Sequence, residues 1–155
     1  MSRRNISKKR FPELDPVYNS YLVNLLILRI LKSGKKNLAQ KIVYKTFDII
    51  KTKTNKNPLY IFEKAVKNTT PLIEIKTKRI GGSTHQVPNR IHKFKAITLS
   101  LRWIIKYTKE RSGKTMPMKL AFEIIDAFNR LGNSVKKKEE IHRIAKTNKS
   151  FVHNS

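Results

Sequence analysis

Apolar residues recur every three or four positions along most of the chain, which is the spacing of helices that bury one face. The first predicted helix extends from about Tyr18 to a stop at Ser33-Gly34, and it is apolar on nearly all sides. A helix with apolar residues all round has to be covered from every direction. We therefore expect this helix to lie at the centre of the core.

Five further helices follow from the same spacing and from helix-capping residues. In chain order, the second helix is capped by Asn37, the third lies between Asn57-Pro58 and Pro71, and the fourth extends from Lys93 to Lys109. The fifth lies between Pro117 and Gly132, and the sixth extends from about Val135 to Lys149. On the second helix we expect Leu38, Ile42, Phe47 and Ile50 to face the core, and on the fifth we expect Leu131 to complete the apolar row.

From Ile73 to Lys78 the spacing changes to a strict alternation of apolar and polar residues, which is typical of a strand. Gly81-Gly82 supplies a turn, and we expect a shorter return strand from Gln86 to Ile91. Pro88 restricts that strand to an edge, so the pair should project from a helical body. The predicted fold is mainly α, a single domain of about six helices with a protruding basic β-ribbon, residues 72–91, between the third and fourth helices.

The charge of the chain is strongly one-sided. The 155 residues include 35 Lys and Arg against 10 Asp and Glu, a formal net charge of +25. No acidic residue lies between Glu74 and Glu110. Self-repulsion of this size has no role in folding, and it indicates a polyanionic partner. Nucleic acid is favoured because neutralised phosphates release counterions. An anionic lipid surface is the alternative, although the sequence contains no apolar run of 18 residues.

Basic residues also mark the N-terminus and two helix starts. Residues 1–11 carry five cations and no acid, so we expect a flexible basic arm that is not a secretory signal. Lys35 and Lys36 lie between two predicted helices, where a helix N-terminus favours anions. Lys93 and Lys95 begin the fourth helix and oppose its dipole, which suggests that they serve binding.

The sequence contains no convincing catalytic or metal site. Cysteine is absent, and the four histidines have no spacing that places two on one helical face, so we expect no metal and solvated histidines. Ser83 and His85 are typical of a turn, and Glu123 and Asp126 are expected to be solvated charges. Trp103 is expected to pack in the core. An RNA-processing enzyme that uses histidine and carboxylates remains an alternative to a binding protein.

Several uncommon strings, taken together, resemble the small-subunit ribosomal protein seven family. They are SGKKNLA (33–39), KNTTP (67–71), KTKRIGGSTHQVP (76–88), SLRWI (100–104) and VKKKEEIHRIAKTNKSFVH (135–153). The resemblance runs nearly end to end and in order. It implies a bacterial or plastid type of structural ribosomal protein with no enzymatic activity, no cofactor, no small-molecule substrate and no membrane association.

The resemblance also implies a place and a set of contacts. Members of the family are primary rRNA binders that nucleate assembly of the head, the 3′ major domain, and line the path of mRNA and exit-site tRNA. Neighbouring head proteins would contact the ribbon and the terminal helix. The residues expected to bind rRNA are Arg3, Arg4, Lys8, Lys9, Arg10, Lys35, Lys36, Lys76, Lys78, Arg79, Arg90, Lys93, Lys95, Arg102, Lys114, Lys136 and Lys137. The ribbon tip expected near mRNA and tRNA is Gly81, Gly82, Ser83, Thr84 and His85.

One stretch departs from the family pattern, and composition bears on the compartment. Residues 89–92 stand where many relatives carry an acidic residue, so we expect contacts there to differ. The chain is rich in Lys, Ile and Asn, whose codons are rich in A and T. This bias favours a ribosome in the plastid stroma, with the bacterial cytoplasm or the mitochondrion as alternatives.

Overall fold

Six helices and a two-stranded antiparallel ribbon make up the described part of the computed structural model, which covers residues 13–80 and 82–148. In chain order they are α1 (Tyr21–Ile30), α2 (Lys36–Thr54), α3 (Pro58–Thr69), β1 (Ile73–Ile80), β2 (Ser83–Arg90), α4 (Lys93–Glu110), α5 (Met116–Phe128) and α6 (Asn133–Thr147). The predicted mainly α fold, with its ribbon between the third and fourth helices, is confirmed.

Local capping chemistry explains where several of these helices begin and end. The side chain of Asn57 accepts a hydrogen bond from the backbone N–H of Leu59 at 2.9 Å, and Pro58 occupies the first helical position of α3. His92 caps α4 in a similar way, through its Nδ1 atom and the N–H of Phe94. Asn55 ends α2 in the left-handed conformation, with φ of 52°.

The centre of the core is α5, and the expectation that the first helix would be central is wrong. α5 packs against α2, α3, α4 and α6, whereas α1 packs chiefly against α2 and α4. α1 begins at Tyr21 and has only ten residues. Its apolar residues do not all turn inward, since Leu28 is 44% exposed. Among residues 13–80 and 82–148, no element covers the outer side of this short helix.

Two expected core residues lie at the surface. Leu38 is 55% exposed because the buried stripe at the start of α2 passes through Ala39 and Val43, one residue later than expected, whereas Phe47 and Ile50 are buried as expected. One residue is a rotation of about 100° around a helix, which is enough to move a side chain from core to solvent. Leu131 is 63% exposed because α5 ends at Phe128, before the expected stop.

The ribbon is longer and more symmetric than its sequence pattern predicts. The strands pair from Ile73 opposite Arg90 to Ile80 opposite Ser83. The return strand therefore starts three residues earlier than expected and equals the first strand in length. Pro88 is accommodated opposite Ile75, and no further strand joins the pair within the described residues. At about 3.4 Å per residue, eight residues extend the ribbon roughly 27 Å from its base.

Candidate nucleic-acid interface

The cations of the ribbon lie on both of its faces. Residues paired across an antiparallel ladder share a face, and successive residues alternate between faces. Lys76 pairs with Val87 and Lys78 pairs with His85, so these two lysines lie on one face. Arg79 pairs with Thr84 and lies on the opposite face together with Arg90. All four cationic side chains are exposed, so the ribbon presents positive charge in two directions.

The carboxylate of Glu74 neutralises part of this charge at the base of the ribbon. It forms ion pairs with Lys76, at 3.2 Å, and with Lys95 in the first turn of α4. The hydrogen bond from Lys95, followed by that from Lys76, holds the pKa of Glu74 below its usual value. Both lysines remain about half exposed. The Lys95 ion pair therefore ties the ribbon to α4, whereas the Lys76 ion pair lies within β1, and both lysines still face solvent.

A second basic cluster lies where α1 meets α4, and of its four cations only Arg102 was among the expected binding residues. Arg102 on α4 shares a depression of about 430 Å³ with Arg29 on α1 and with Lys106 and Lys109. Glu110 is the one acid on its rim. Arg29 is the single cation within an apolar run, and such a residue has to reach solvent at the edge of its helix. That position was the available signal that Arg29 lies at the surface.

The remaining expected lysines occupy helix ends and one loop. Lys35 is the N-cap residue of α2 and Lys36 is its first residue, so Asn37 lies inside the helix and is not its cap. Both lysines are exposed. Lys93 is exposed at the start of α4, and Lys114 is exposed in the loop that follows the other end of that helix. Because α4 has 18 residues, these two lysines are separated by its length, about 27 Å.

The first two turns of α6 present a run of three lysines with different partners. Lys136 is exposed. The Lys137 ammonium donates to Glu140 at 2.8 Å, which raises the pKa of Lys137 and lowers that of Glu140. Lys138 donates to the backbone carbonyl of Asn68 on α3. Two of the lysines are therefore directed to solvent or to a surface acid, and the third anchors the helix.

Glu123 is buried, which corrects the expectation that it is a solvated charge. Only 1% of its surface is exposed. The Arg111 guanidinium lies 3.2 Å from its Oε2 atom and also pairs with Asp126. Its Oε1 atom accepts hydrogen bonds from the hydroxyl of Ser134, at 2.8 Å, and from the backbone N–H of Ser134. Charge spacing along one helix gives no signal of such a network.

The tip of the ribbon differs from the expected turn. Ser83, Thr84 and His85 belong to β2, and the Ser83 hydroxyl and the His85 Nε2 atom lie 2.7 Å apart. Gly82 has φ of +90°, a conformation that glycine adopts without strain. Six residues of the expected interface lie outside the described residues: Arg3, Arg4, Lys8, Lys9 and Arg10 of the basic arm, and Gly81.

Two aromatic residues that could stack on bases have different surroundings. Trp103 is 9% exposed, which agrees with the expected packing role and leaves little of its ring for a base. Phe94 is 45% exposed beside Lys93 and Lys95. His142 is half-buried, so the expectation of a solvated histidine is wrong for this residue.

Two features are absent from residues 13–80 and 82–148. No helix there is sufficiently long and apolar to cross a membrane. No group of three or more His, Cys, Asp or Glu side chains there is arranged to hold a metal ion.

The sequence matches a family of known proteins over almost its entire length. The family model described as ribosomal protein S7p/S5e matches residues 2–149. Similar proteins include small ribosomal subunit protein uS7c of Trieres chinensis, 64% identical over 144 residues, which are 93% of this chain and 91% of that protein. Small ribosomal subunit protein uS7 of Gloeothece citriformis is 51% identical over 153 residues, and uS7 of Microcystis aeruginosa is 52% identical over 153 residues, in both cases 99% of this chain and 98% of the relative.

Proposed function

The chain belongs to the ribosomal protein S7p/S5e family of the small ribosomal subunit, and on that premise we propose that it is a primary rRNA binder without catalytic activity. In this proposal it nucleates assembly of the head, the 3′ major domain. Six surfaces hold the rRNA: the basic arm, the Lys35-Lys36 helix start, the ribbon cations, the basic side of α4, Lys114, and Lys136 with Lys137 on α6.

The observation that supports this proposal best is the distribution of charge on the ribbon. The ribbon has no third strand within the described residues, so it gains little stability of its own, and it carries exposed cations on both faces. A projecting basic element of this kind can enter between RNA helices and neutralise phosphates on two sides. The absence of acid between Glu74 and Glu110 extends the same potential onto α4.

The proposal extends to neighbouring molecules and to a compartment. The tip of the ribbon would approach mRNA and exit-site tRNA, and neighbouring head proteins would contact the ribbon and α6. The name of the Trieres chinensis relative points to the chloroplast, and the other two relatives are cyanobacterial. These similarities support a ribosome of the plastid stroma, with the bacterial cytoplasm as the alternative.

The test compares two double variants with equal charge changes. Lys78→Glu with Arg79→Glu changes both faces of the ribbon, and Lys41→Glu with Lys45→Glu changes exposed positions of α2. Binding to a 3′ major domain rRNA fragment is measured over a range of salt concentrations. The ribbon variant should bind more weakly, and the slope of log K against log salt should be shallower by roughly 1.5, since each lost phosphate contact contributes about 0.7 to 0.9.

Two results would contradict the proposal. Equal loss of affinity in both variants would mean that net charge alone, and not the ribbon, governs binding. Equally tight binding of wild-type protein to random duplex DNA would remove the specificity for rRNA. Protein in an organelle extract should also sediment with small subunits at moderate salt, whereas a free pool would favour a general nucleic-acid or lipid binder.

A further inference from the structure

The start of α6 lacks a capping side chain of its own. The residue that precedes the helix is Gly132, and the first turn contains no acidic residue. Such a helix start normally gains stability from an oxygen acceptor for its free N–H groups and from a nearby negative charge. A negative charge matters more at the start of α6, since Lys136 and Lys137 add positive charge near the positive end of the helix dipole.

The missing acceptor is supplied from α5 by Glu123. Its Oε1 atom accepts the N–H of Ser134, the second residue of α6, and the hydroxyl of the same serine. Ser134 is completely buried, so these bonds lie out of solvent. Gly132 permits the approach: a Cβ atom at this position would lie 3.3 Å from Oε1 of Glu123 and 3.2 Å from Cβ of Asp126. The carboxylate therefore replaces an N-cap side chain.

The other oxygen of Glu123 joins this helix start to α4. Oε2 lies 3.2 Å from the guanidinium of Arg111, the residue that follows the last residue of α4. A charge buried to this extent costs stability unless it is paired and hydrogen-bonded, and packing alone would be served equally well by an apolar side chain. Through these contacts Glu123 joins the end of α4, α5 and the first turn of α6.

We propose that Glu123 is a positioning residue for rRNA binding, which caps α6 and so directs Lys136 and Lys137 to the phosphates. This inference rests on the proposed function, because the ligand of those lysines is the rRNA. Glu123 does not touch the RNA, and it acts through the orientation of the helix it caps.

The test uses two substitutions that remove the same negative charge. Glu123→Gln changes the buried carboxylate, and Glu140→Gln changes a carboxylate on α6 whose side chain is 44% exposed and pairs with Lys137. Simple electrostatics predicts that both variants bind the 3′ major domain fragment as tightly as wild type or more tightly. We expect unchanged or tighter binding for Glu140→Gln but not for Glu123→Gln. Glu123→Gln should bind on the order of tenfold more weakly, with a salt slope shallower by about 1 to 2.

A second variant covers the case in which Glu123→Gln does not fold. Ser134→Ala removes the hydroxyl donor and retains the backbone N–H to Glu123, so it should give a smaller loss of affinity in the same direction. Amide hydrogen exchange in the first turn of α6, measured on the free protein, should be faster in both variants while exchange in α2 and α3 is unchanged. Ser134→Thr keeps a hydroxyl at this position. Wild-type affinity and wild-type exchange in this variant would support the cap directly.

The results separate this inference from the proposed function. If wild-type protein fails to bind the rRNA fragment, the proposed function is wrong, and the exchange measurement still tests the cap. If wild type binds and the buried and exposed glutamine variants behave alike, Glu123 has no positioning role. Unchanged exchange at the start of α6 in every variant would also overturn the inference.

Discussion

The Nε2 atom of His142 accepts a hydrogen bond from the backbone N–H of Leu72 at 3.2 Å, which joins α6 to the base of the ribbon. Leu72 immediately precedes β1, and its carbonyl also accepts the N–H of Ile91 just beyond β2. The contact borders a largely apolar groove of about 600 Å³ between α3, the ribbon base, α4 and α6. A single imidazole therefore helps to set the angle at which the ribbon leaves the body.

Acid should release this contact. Burial, followed by the charges of Lys138 and Lys146, lowers the pKa of His142 below its usual 6.5. A lowered folded-state pKa means that the stabilisation is fully present above pH 6.5 and is lost as the pH falls through the folded value. Protonated His142 cannot accept the bond. As the pH falls through the pKa of His142, the Leu72 amide should therefore become less protected from hydrogen exchange, relative to the rate of an unprotected amide at the same pH. NMR measures this protection.

The control for this acid effect is His142→Phe, which retains an aromatic ring but has no nitrogen to accept the hydrogen bond. Its Leu72 amide should exchange rapidly at every pH, with no additional transition. Glu63, Lys67 and Lys93 also line the groove, and of these only Glu63 carries a carboxylate. A transition that persists in His142→Phe and disappears in Glu63→Gln would assign the switch to the carboxylate.

Tyr44 should titrate late in alkali. Burial, with a hydrogen bond of 2.9 Å from its hydroxyl to Asp15, raises its pKa to about 12. The folded value exceeds the ordinary value of 10.0, so this stabilisation is complete below pH 10 and is lost as the pH approaches 12. Asp15→Asn should move the late rise in tyrosinate absorbance toward lower pH. Tyr44→Phe should remove the contribution of Tyr44 and leave that of Tyr18, whose pKa is also raised by burial. A late rise that is unchanged in Asp15→Asn would contradict the assignment.

Gly132→Ala should destabilise the protein more than Gly34→Ala does. Both glycines have positive φ, +87° and +72°, but a Cβ at Gly132 would press on Glu123 and Asp126 whereas one at Gly34 meets nothing within 4 Å. Backbone strain alone costs about 1 to 2 kcal/mol. Crowding at Gly132 should add about 1 kcal/mol or more. Urea unfolding measures the difference, and equal midpoints would show that the site relaxes freely.

Arg29→Glu should weaken rRNA binding. The basic cluster of α1 and α4 places Arg29 beside Arg102, so reversal of its charge acts on a surface that the cations of α4 also form. The matched control is Lys41→Glu, an exposed lysine of α2 with the same charge change. Affinity for the 3′ major domain fragment should fall several-fold more in the Arg29 variant, with a salt slope reduced by about 1. Equal effects would exclude this cluster from the interface.

The sequence by itself determined the elements and the charge of this protein. Helical and strand periods, the Asn57-Pro58 cap and the paired glycines are local features, and local features predicted six helices with a ribbon after the third. Net charge does not depend on folding, so the polyanionic partner was also predictable. The predicted buried face was wrong at Leu38, because a helix turns about 100° per residue and a shift of one residue moves a side chain from core to solvent.

Only the tertiary structure decided which residues act together. Glu123 and Ser134 are eleven residues apart, Leu72 and His142 are seventy apart, and Arg29 meets Arg102 only across α1 and α4. Each pairing depends on how helices pack around α5, which periodicity along one segment does not contain. Burial then changes the chemistry: the same carboxylate that is a solvated charge on an isolated helix becomes, once enclosed, a cap that its neighbours require.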